Sequence, residues 1–304
     1  MVERFTAGVS DKGRRLDQFI ADNADALSRT KARKIIDIGG VHVGGRRVRK
    51  AGLILDAGQR IELFRDNGPL DPFRLNDDLV VFQDQWIIVI NKPSGVETQP
   101  TPARYRGTLY EALQLFLKRD RRFGRRLEIG MAQRLDRDTS GLIVFSIHPQ
   151  AHKGLTEQMQ SRSAEKVYHA LVAGRLQPPA GVYRSQLRRD RRSGLMRSVD
   201  EGGKEAITAY RVEETLPEPI EISRVELVLV TGRTHQIRAH LAEAGHPLLG
   251  DVRYGGISEI GGHRFDRHCL HSSHLQLVHP KTGKPVKFSA PLPDDMVMDR
   301  FVAG

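Results

Sequence analysis

The sequence predicts an α+β protein in two parts, a small N-terminal α/β unit followed by a larger domain of mixed α and β structure. Three observations carry this. Residues 14–64 crowd two helix-spaced apolar sets and two short strand patterns into one stretch. The segment "RDNGPLDPFRLNDD" at 65–78 is polar, with glycine and two prolines, and suits a linker. Beyond it, apolar runs of strand length alternate with helical patterns. At 304 residues the chain is also long for one domain, so the expected division is 1–66, a linker at 67–78, and 79–304.

In the N-terminal unit, Leu16, Phe19 and Ile20 repeat at helical spacing, and Ser28 is placed to cap a second helix carrying Ala32, Ile35 and Ile36 on one side. Gly39-Gly40 stops that helix. "VHV" and "RIELF" read as short strands around the turn Gly44-Gly45. Basic residues cluster here: Arg29, Lys31, Arg33 and Lys34 on the second helix, then Arg46, Arg47, Arg49 and Lys50 past the turn.

In the larger part, "LVVFQDQWIIVINKPSG", "GLIVFSI", "KVYHALVAG" and "RVELVLVTG" read as strands, and "TLYEALQLFLK" as a helix. Residues 233–244 read as a helix ended by Gly245 and Pro247. The arginine runs "KRDRRFGRR" and "RRDRRSG" are expected in loops or hairpin tips, open to phosphate or simply to water.

A net charge of +11 and a pI near 10.0 attract polyanions, and nucleic acid is the expected partner. The single cysteine, Cys269, leaves no internal disulfide and no thiol-rich metal site. "MVERFTAGVSDKGRRLDQFI" lacks the apolar core of a signal peptide, and no stretch approaches the roughly 20 apolar residues of a membrane span. The expectation is a soluble cytoplasmic protein with no membrane partner and no obligate protein partner.

The stretch "MAQRLDRDTSGLIVFS" sets Asp136 between Arg134 and Arg137, then a Thr-Ser-Gly turn and an apolar run. Alone, this is a surface ion pair. In "AEKVYHALV", strand alternation puts Lys166, Tyr168 and Ala170 on one face and Val167, His169 and Leu171 on the other.

Two resemblances organise these pieces. Residues 1–66 resemble the small RNA-binding domain first named from ribosomal protein S-four, on Arg15-Leu16-Asp17, Ser28-Arg29, the Gly40-to-Val43 turn and the Gly58-to-Ile61 close. That resemblance implies phosphate contacts for Arg29, Lys31, Arg33, Lys34, Arg46 and Arg47. Residues 79–295 resemble the RluA-type pseudouridine synthases: "NKPSG", "QRLDRDTSG", "AEKVYHALV", "GKEAITAY", "TGRTHQIRAHL", "GDVRYGG" and "LHSSHLQLVHPKTGKPVKFSAPLP" stand in the family's order.

The second resemblance implies a mixed, largely antiparallel sheet with helices and loops around a central cleft, and conversion of uridine to pseudouridine without metal or cofactor. It makes Asp136 the catalytic aspartate, Tyr168 the active-site tyrosine and Arg233 the arginine paired with the aspartate. Arg134 would fill the gap left when the target base turns out of its stack. Each role fits the residue: a carboxylate acts covalently or as a base, a nearby cation favours its ionised form, and a tyrosine stacks on a pyrimidine while its hydroxyl reaches a proton. Phosphate contact is the alternative for Arg233 and for Arg134. Large-subunit ribosomal RNA is the expected substrate and transfer RNA the runner-up. The family usually has histidine where this chain has Gln133 and Gln99, and glutamine does not titrate near neutrality.

Three other chemistries are weaker. A glycosidase needs two carboxylates, and only Asp138 offers itself as a second. A metal hydrolase would draw on His235, His240, His246 and Asp251, but His235 and His240, five apart on a helix, point roughly 140° apart. Ser140 with a distant histidine reads better as a turn serine. A non-catalytic RNA-binding assembly factor is the rival from another class.

Overall fold

Ser28 begins the second helix of the N-terminal unit by accepting a hydrogen bond on Oγ from the Lys31 amide at 3.3 Å. Gly39 ends that helix in the left-handed conformation, φ 91°. This computed structural model describes residues 2–66, 68–120, 127–216 and 221–301. Of the run "KRDRRFGRR", residues 121–126 lie outside the described residues.

The chain divides by its contacts into two units, 1–76 with 96–127, and 77–95 with 128–304. The first contains strand β1 (Val2–Thr6), helices α1 (Leu16–Asn23) and α2 (Arg29–Ile38), and strands β2 (Val41–Val43), β3 (Arg46–Val48) and β4 (Arg60–Phe64). These strands form a sheet in the order β1-β4-β2-β3. Leu16, Phe19, Ile20, Ala32, Ile35 and Ile36 bury against Val41, Ile61 and Leu63, as the helical spacing requires. One detail differs from the sequence reading. The Gly44-Gly45 turn joins β2 to a strand made of the basic residues themselves, Arg46–Val48, while β4 pairs on the other side of β2.

Residues 96–120, which sequence places after the linker, make their contacts with this first unit. The reason is polar: the Tyr105 and Arg106 amides donate to the Ile38 carbonyl at 2.7 and 3.0 Å, and the Arg104 guanidinium grips Asp66 at 2.9 and 3.0 Å. Helix α3 (Leu109–Leu117) belongs to this segment and starts at Thr108, whose hydroxyl accepts from the Glu111 amide at 3.3 Å.

The second unit is built on one large sheet of β5 (Val80–Gln83), β6 (Ile87–Lys92), β7 (Gly130–Met131), β8 (Ser140–Ser146), β9 (Glu165–Ala173), β10 (Ala180–Arg189), β11 (Met196–Val199), β12 (Lys204–Leu216), β13 (Ile222–Leu229), β16 (Leu270–Val278) and β17 (Pro285–Ser289), with a small hairpin β14 (Glu259–Ile260) and β15 (His263–Arg264) apart from it. The order is β11-β10-β12-β13-β9-β16-β8-β6-β5, with β17 beside β16 and β7 beside β8. Among the described residues only β16 and β8 pair parallel, so the sheet is largely antiparallel. Helix α4 (Pro149–Ser161) covers Ile87, Val89, Leu142, Val144, Leu275 and Leu277 with Leu155. The arginine-rich 188–194 segment is the tip between β10 and β11, where Asp190 accepts from the Ser193 amide.

Helix α5 (Gln236–Glu243) is shorter than the sequence suggested at its start. His235 precedes it with φ 51°, a left-handed residue that breaks the helix away from Arg233. No helix is long and apolar enough to cross a membrane among the described residues.

Candidate active site

The loop between β7 and β8 carries Asp136, and four consecutive residues after it are pinned by different parts of the unit. The fully buried Lys92 donates to the Arg137 carbonyl at 2.9 Å, and to that of Pro93 at 2.8 Å. Arg267 donates to the Asp138 carbonyl at 3.1 Å while its other nitrogens grip Asp295. His268 Nε2 shares a hydrogen bond with Thr139 Oγ1 at 2.8 Å, and His271 Nδ1 with Ser140 Oγ at 2.9 Å. Burial, with Arg238 and Arg267 nearby, pushes the His268 pKa down to about 2, so that ring is neutral.

The fifth residue is Gly141, at φ 107°, where a Cβ would stand 2.2 Å from the Ser272 carbonyl oxygen. Only glycine lets β8 approach β16 so closely. Gly141→Ala is therefore expected to cost roughly 3 kcal/mol in chemical denaturation. An unchanged unfolding midpoint would show that β8 tolerates a side chain there.

The carboxylate held by this loop has a side chain 29% exposed, and the cation on it is Arg238, not Arg233. Arg238 Nη1 donates to Asp136 Oδ2 at 3.2 Å, and its Nε and Nη2 form a two-pronged pair with the buried Asp251, both at 2.7 Å. Burial opposes the charge of Arg238, but Asp251 and Asp136 together hold its pKa above the usual value. Its guanidinium lies 4.9 Å over the Tyr254 ring. His235 Nε2 stands 3.7 Å from the same Oδ2, and its Nδ1 bonds the Tyr254 hydroxyl at 3.0 Å. Burial lowers the His235 pKa against the pull of Asp136, and Arg238 lowers it further. Asp136 Oδ1 has no protein partner among the described residues.

Arg233 is a correction to the expected pairing. Its Nε donates to the Glu205 carbonyl at 2.9 Å, because it sits in the turn ahead of His235 and not on α5. Gln236 fixes that turn: its Oε1 accepts from Thr231 and the Arg233 amide, and its Nε2 donates to Ile207 and Thr208.

Tyr168 lies on β9, opposite Ser272 of β16, and is 6% exposed. Burial pushes its phenol up to about 12, a hydrogen bond with Ser272 opposes that, and the charge of Asp136 adds to it. The phenol is thus protonated near neutrality and close enough to Asp136 to feel its charge. Arg134 is exposed two residues before Asp136, and the Gln133 Nε2 beside it is buried without a partner among the described residues.

The four residues of the metal-hydrolase reading do not converge. His235 and Asp251 serve the Asp136 site, His240 bonds Thr208 and Ser185, and His246 bonds the Ala173 carbonyl. Asp138 is occupied by Arg137 at 2.9 Å.

In the first unit, Arg15, Arg29 and Arg33 all converge on the buried Asp17, at 3.0, 3.1 and 2.6 Å. Burial resists the Asp17 charge, but hydrogen bonds from the three arginines hold its carboxyl well below the usual range. Each guanidinium stays partly exposed, with donors left over. Lys31 and Arg46 are exposed. Lys34 pairs with the exposed Asp71 and stays exposed itself, while Arg47 is drawn onto the Thr101 carbonyl and the Tyr105 ring.

The fold and site define an enzyme with a rigidly held carboxylate beside a buried tyrosine, joined to a cationic unit. Comparison with known proteins makes this specific. The family model for RNA pseudouridylate synthase matches residues 86–243, and the S4 domain model matches 14–61. The chain is 33% identical to an uncharacterized RNA pseudouridine synthase, YlyB, of Bacillus subtilis, over 96% of this chain and 94% of that one. It is 36% identical to ribosomal large subunit pseudouridine synthase D of Vibrio parahaemolyticus, over 95% and 90%. Among solved structures it is similar to human RNA Pseudouridylate Synthase Domain Containing 1, with TM-score 0.58, 26% identity and coverage of 72% and 84%. The chain belongs to the RNA pseudouridine synthase family, RluA type, and is an isomerase that converts uridine to pseudouridine in RNA.

Proposed function

We propose that this enzyme isomerises a uridine of large-subunit ribosomal RNA in the cytoplasm, with Asp136 as the reacting carboxylate. The observation that carries the catalytic reading is the asymmetry of that carboxylate: one oxygen is tied to a locked arginine and the other is free. The reaction breaks the bond from ribose C1′ to uracil N1, turns the ring over, and joins C1′ to carbon 5, whose hydrogen leaves. A fixed anionic oxygen serves this either by covalent attack or by taking a ribose proton. Tyr168 gives the uracil a flat surface and a protonated hydroxyl. Arg134 occupies the space the flipped base leaves in the RNA. Arg238 positions Asp136 and is the residue to which the role first given to Arg233 passes.

The ribosomal substrate is supported by the relative from Vibrio parahaemolyticus, whose name specifies the large ribosomal subunit. Purified enzyme would be given RNA labelled with tritium at uridine carbon 5, as separate ribosomal and transfer RNA fractions from a strain lacking the gene. Release from the ribosomal fraction alone is expected. Release from transfer RNA alone would overturn the substrate reading.

The three arginines on Asp17, with Lys31 and Arg46, give this RNA its first phosphate contacts. Changing Arg29 and Arg33 together to Gln is expected to weaken binding and to flatten the slope of log affinity against log salt by about 1.5, since each released counterion contributes roughly 0.7 to 0.9. An unchanged slope would place the RNA elsewhere on the protein.

A further inference from the structure

We propose that Lys166 is a substrate-binding residue whose ammonium meets a phosphate of the RNA strand that carries the target uridine. Lys166 precedes Tyr168 by two positions on β9, so both side chains leave the same face of the strand. It is 7% exposed. Among the described residues no carboxylate, carbonyl or hydroxyl meets its ammonium.

The other buried lysine and arginine side chains of the described chain are all satisfied: Lys92 by two carbonyls, Arg104 by Asp66, Arg238 by Asp136 and Asp251, and Arg267 by Asp295. Lys166 is the exception. Burial alone pulls its pKa down, with no anion opposing it. An uncompensated charge at such a depth destabilises the free protein, and a ligand that supplies an anion removes that penalty on binding.

The surroundings indicate which anion. A Cβ on Gly232 would stand 3.9 Å from the Lys166 Nζ, so the Thr231–Arg233 turn runs past the ammonium, and the next cation along it is Arg233. An ammonium beside a turn that itself carries Arg233 suits a polyanionic backbone. The substrate delivered to Tyr168 is RNA, whose uracil is neutral and whose anions are its phosphodiesters. The proposal extends the enzyme's reaction and holds for a uridine in any RNA.

The test uses the full-length protein, the variants Lys166→Met and Lys166→Arg, and total RNA labelled with tritium at uridine carbon 5 from a strain lacking the gene. Tritium release is measured across a series of salt concentrations, and the free proteins are melted. Lys166→Met should melt at the same temperature as the wild type or higher, since an unpaired buried charge has gone. Its kcat/KM at low salt should fall about tenfold or more, as for a lost charge-assisted hydrogen bond. The slope of log kcat/KM against log salt should become shallower by roughly 0.7 to 0.9, one phosphate contact. Lys166→Arg should recover most of the rate and the slope.

A lower melting temperature with an unchanged salt slope would make Lys166 a structural residue and overturn the proposal. Lost activity with an unchanged slope and a normal melt would put the ammonium on a neutral atom of the uracil, which also overturns it. Full activity in Lys166→Met would remove any role in binding.

Discussion

Asp136→Asn is expected to lower tritium release by at least about 10⁴-fold, the scale seen when the reacting group of an enzyme is removed, while RNA affinity stays within about twofold of wild type. The amide has nearly the shape of the carboxylate. The loop that holds it is anchored through Arg137, Asp138, Thr139 and Ser140, none of which the change touches. Arg238 keeps its two-pronged pair with Asp251, so no buried charge is left unpaired. What disappears is the electron pair and charge of the free Oδ1. RNA binding depends on cations elsewhere and on shape, and removing one anion does not weaken it. A variant that turns over at the wild-type rate would reduce Asp136 to an ion-pair partner of Arg238.

The second large effect is expected at Arg238. Arg238→Lys keeps a positive charge but has no fork to span Asp136 and Asp251, so the carboxylate loses its fixed orientation. Displacement of a reacting group by about 1 Å is enough for a loss on the order of 10²-fold, and kcat should carry that loss with little change in KM. Arg233→Met should instead act mainly on KM, because among the described residues that guanidinium hydrogen-bonds the Glu205 carbonyl and not Asp136. Measuring the two variants side by side separates positioning from binding. If Arg233→Met removed turnover and Arg238→Lys did not, the pairing implied by the family resemblance would be the one that operates with RNA bound.

The two arginines show where the sequence stops being readable. In "TGRTHQIRAHL" they stand five residues apart, and both lie within a stretch whose pattern is helical. Which one faces Asp136 depends on where the helix begins, and that is set by one residue, His235, in a left-handed conformation that its own type does not demand. Asp136 was singled out by the family resemblance, since alone its stretch reads as a surface ion pair; the Thr-Ser-Gly stretch after it leads into β8, and in it Thr139 and Ser140 carry hydroxyls for His268 and His271, and Gly141 leaves room for Ser272. The partners of residues 137–140 were not legible, since Lys92, Arg267, His268 and His271 come from distant strands and loops.

The same division holds in the N-terminal unit. Helix spacing, the Ser28 cap and the Gly39 stop are local signals, and the structure follows them. The fate of single basic residues is not local. Arg47 looks in the sequence like the exposed Arg46 beside it, but Thr101 and Tyr105 draw it inward. Residues 96–120 join this unit through backbone hydrogen bonds to Ile38, which leave no trace in residue type. Lys166 passed as an ordinary strand residue because its distinguishing feature, burial without a partner, exists only in three dimensions.

Mapping pseudouridines at single-nucleotide resolution in ribosomal RNA, from a strain lacking the gene and from the same strain carrying wild-type or Asp136→Asn protein, tests the central claim most directly. The expected result is that one or more large-subunit pseudouridines vanish with the gene, return with the wild-type chain, and stay absent with Asp136→Asn although that protein still binds the RNA. Ribosomal RNA that keeps every pseudouridine without the gene would contradict the assigned substrate. Pseudouridines restored by Asp136→Asn would contradict the assigned chemistry.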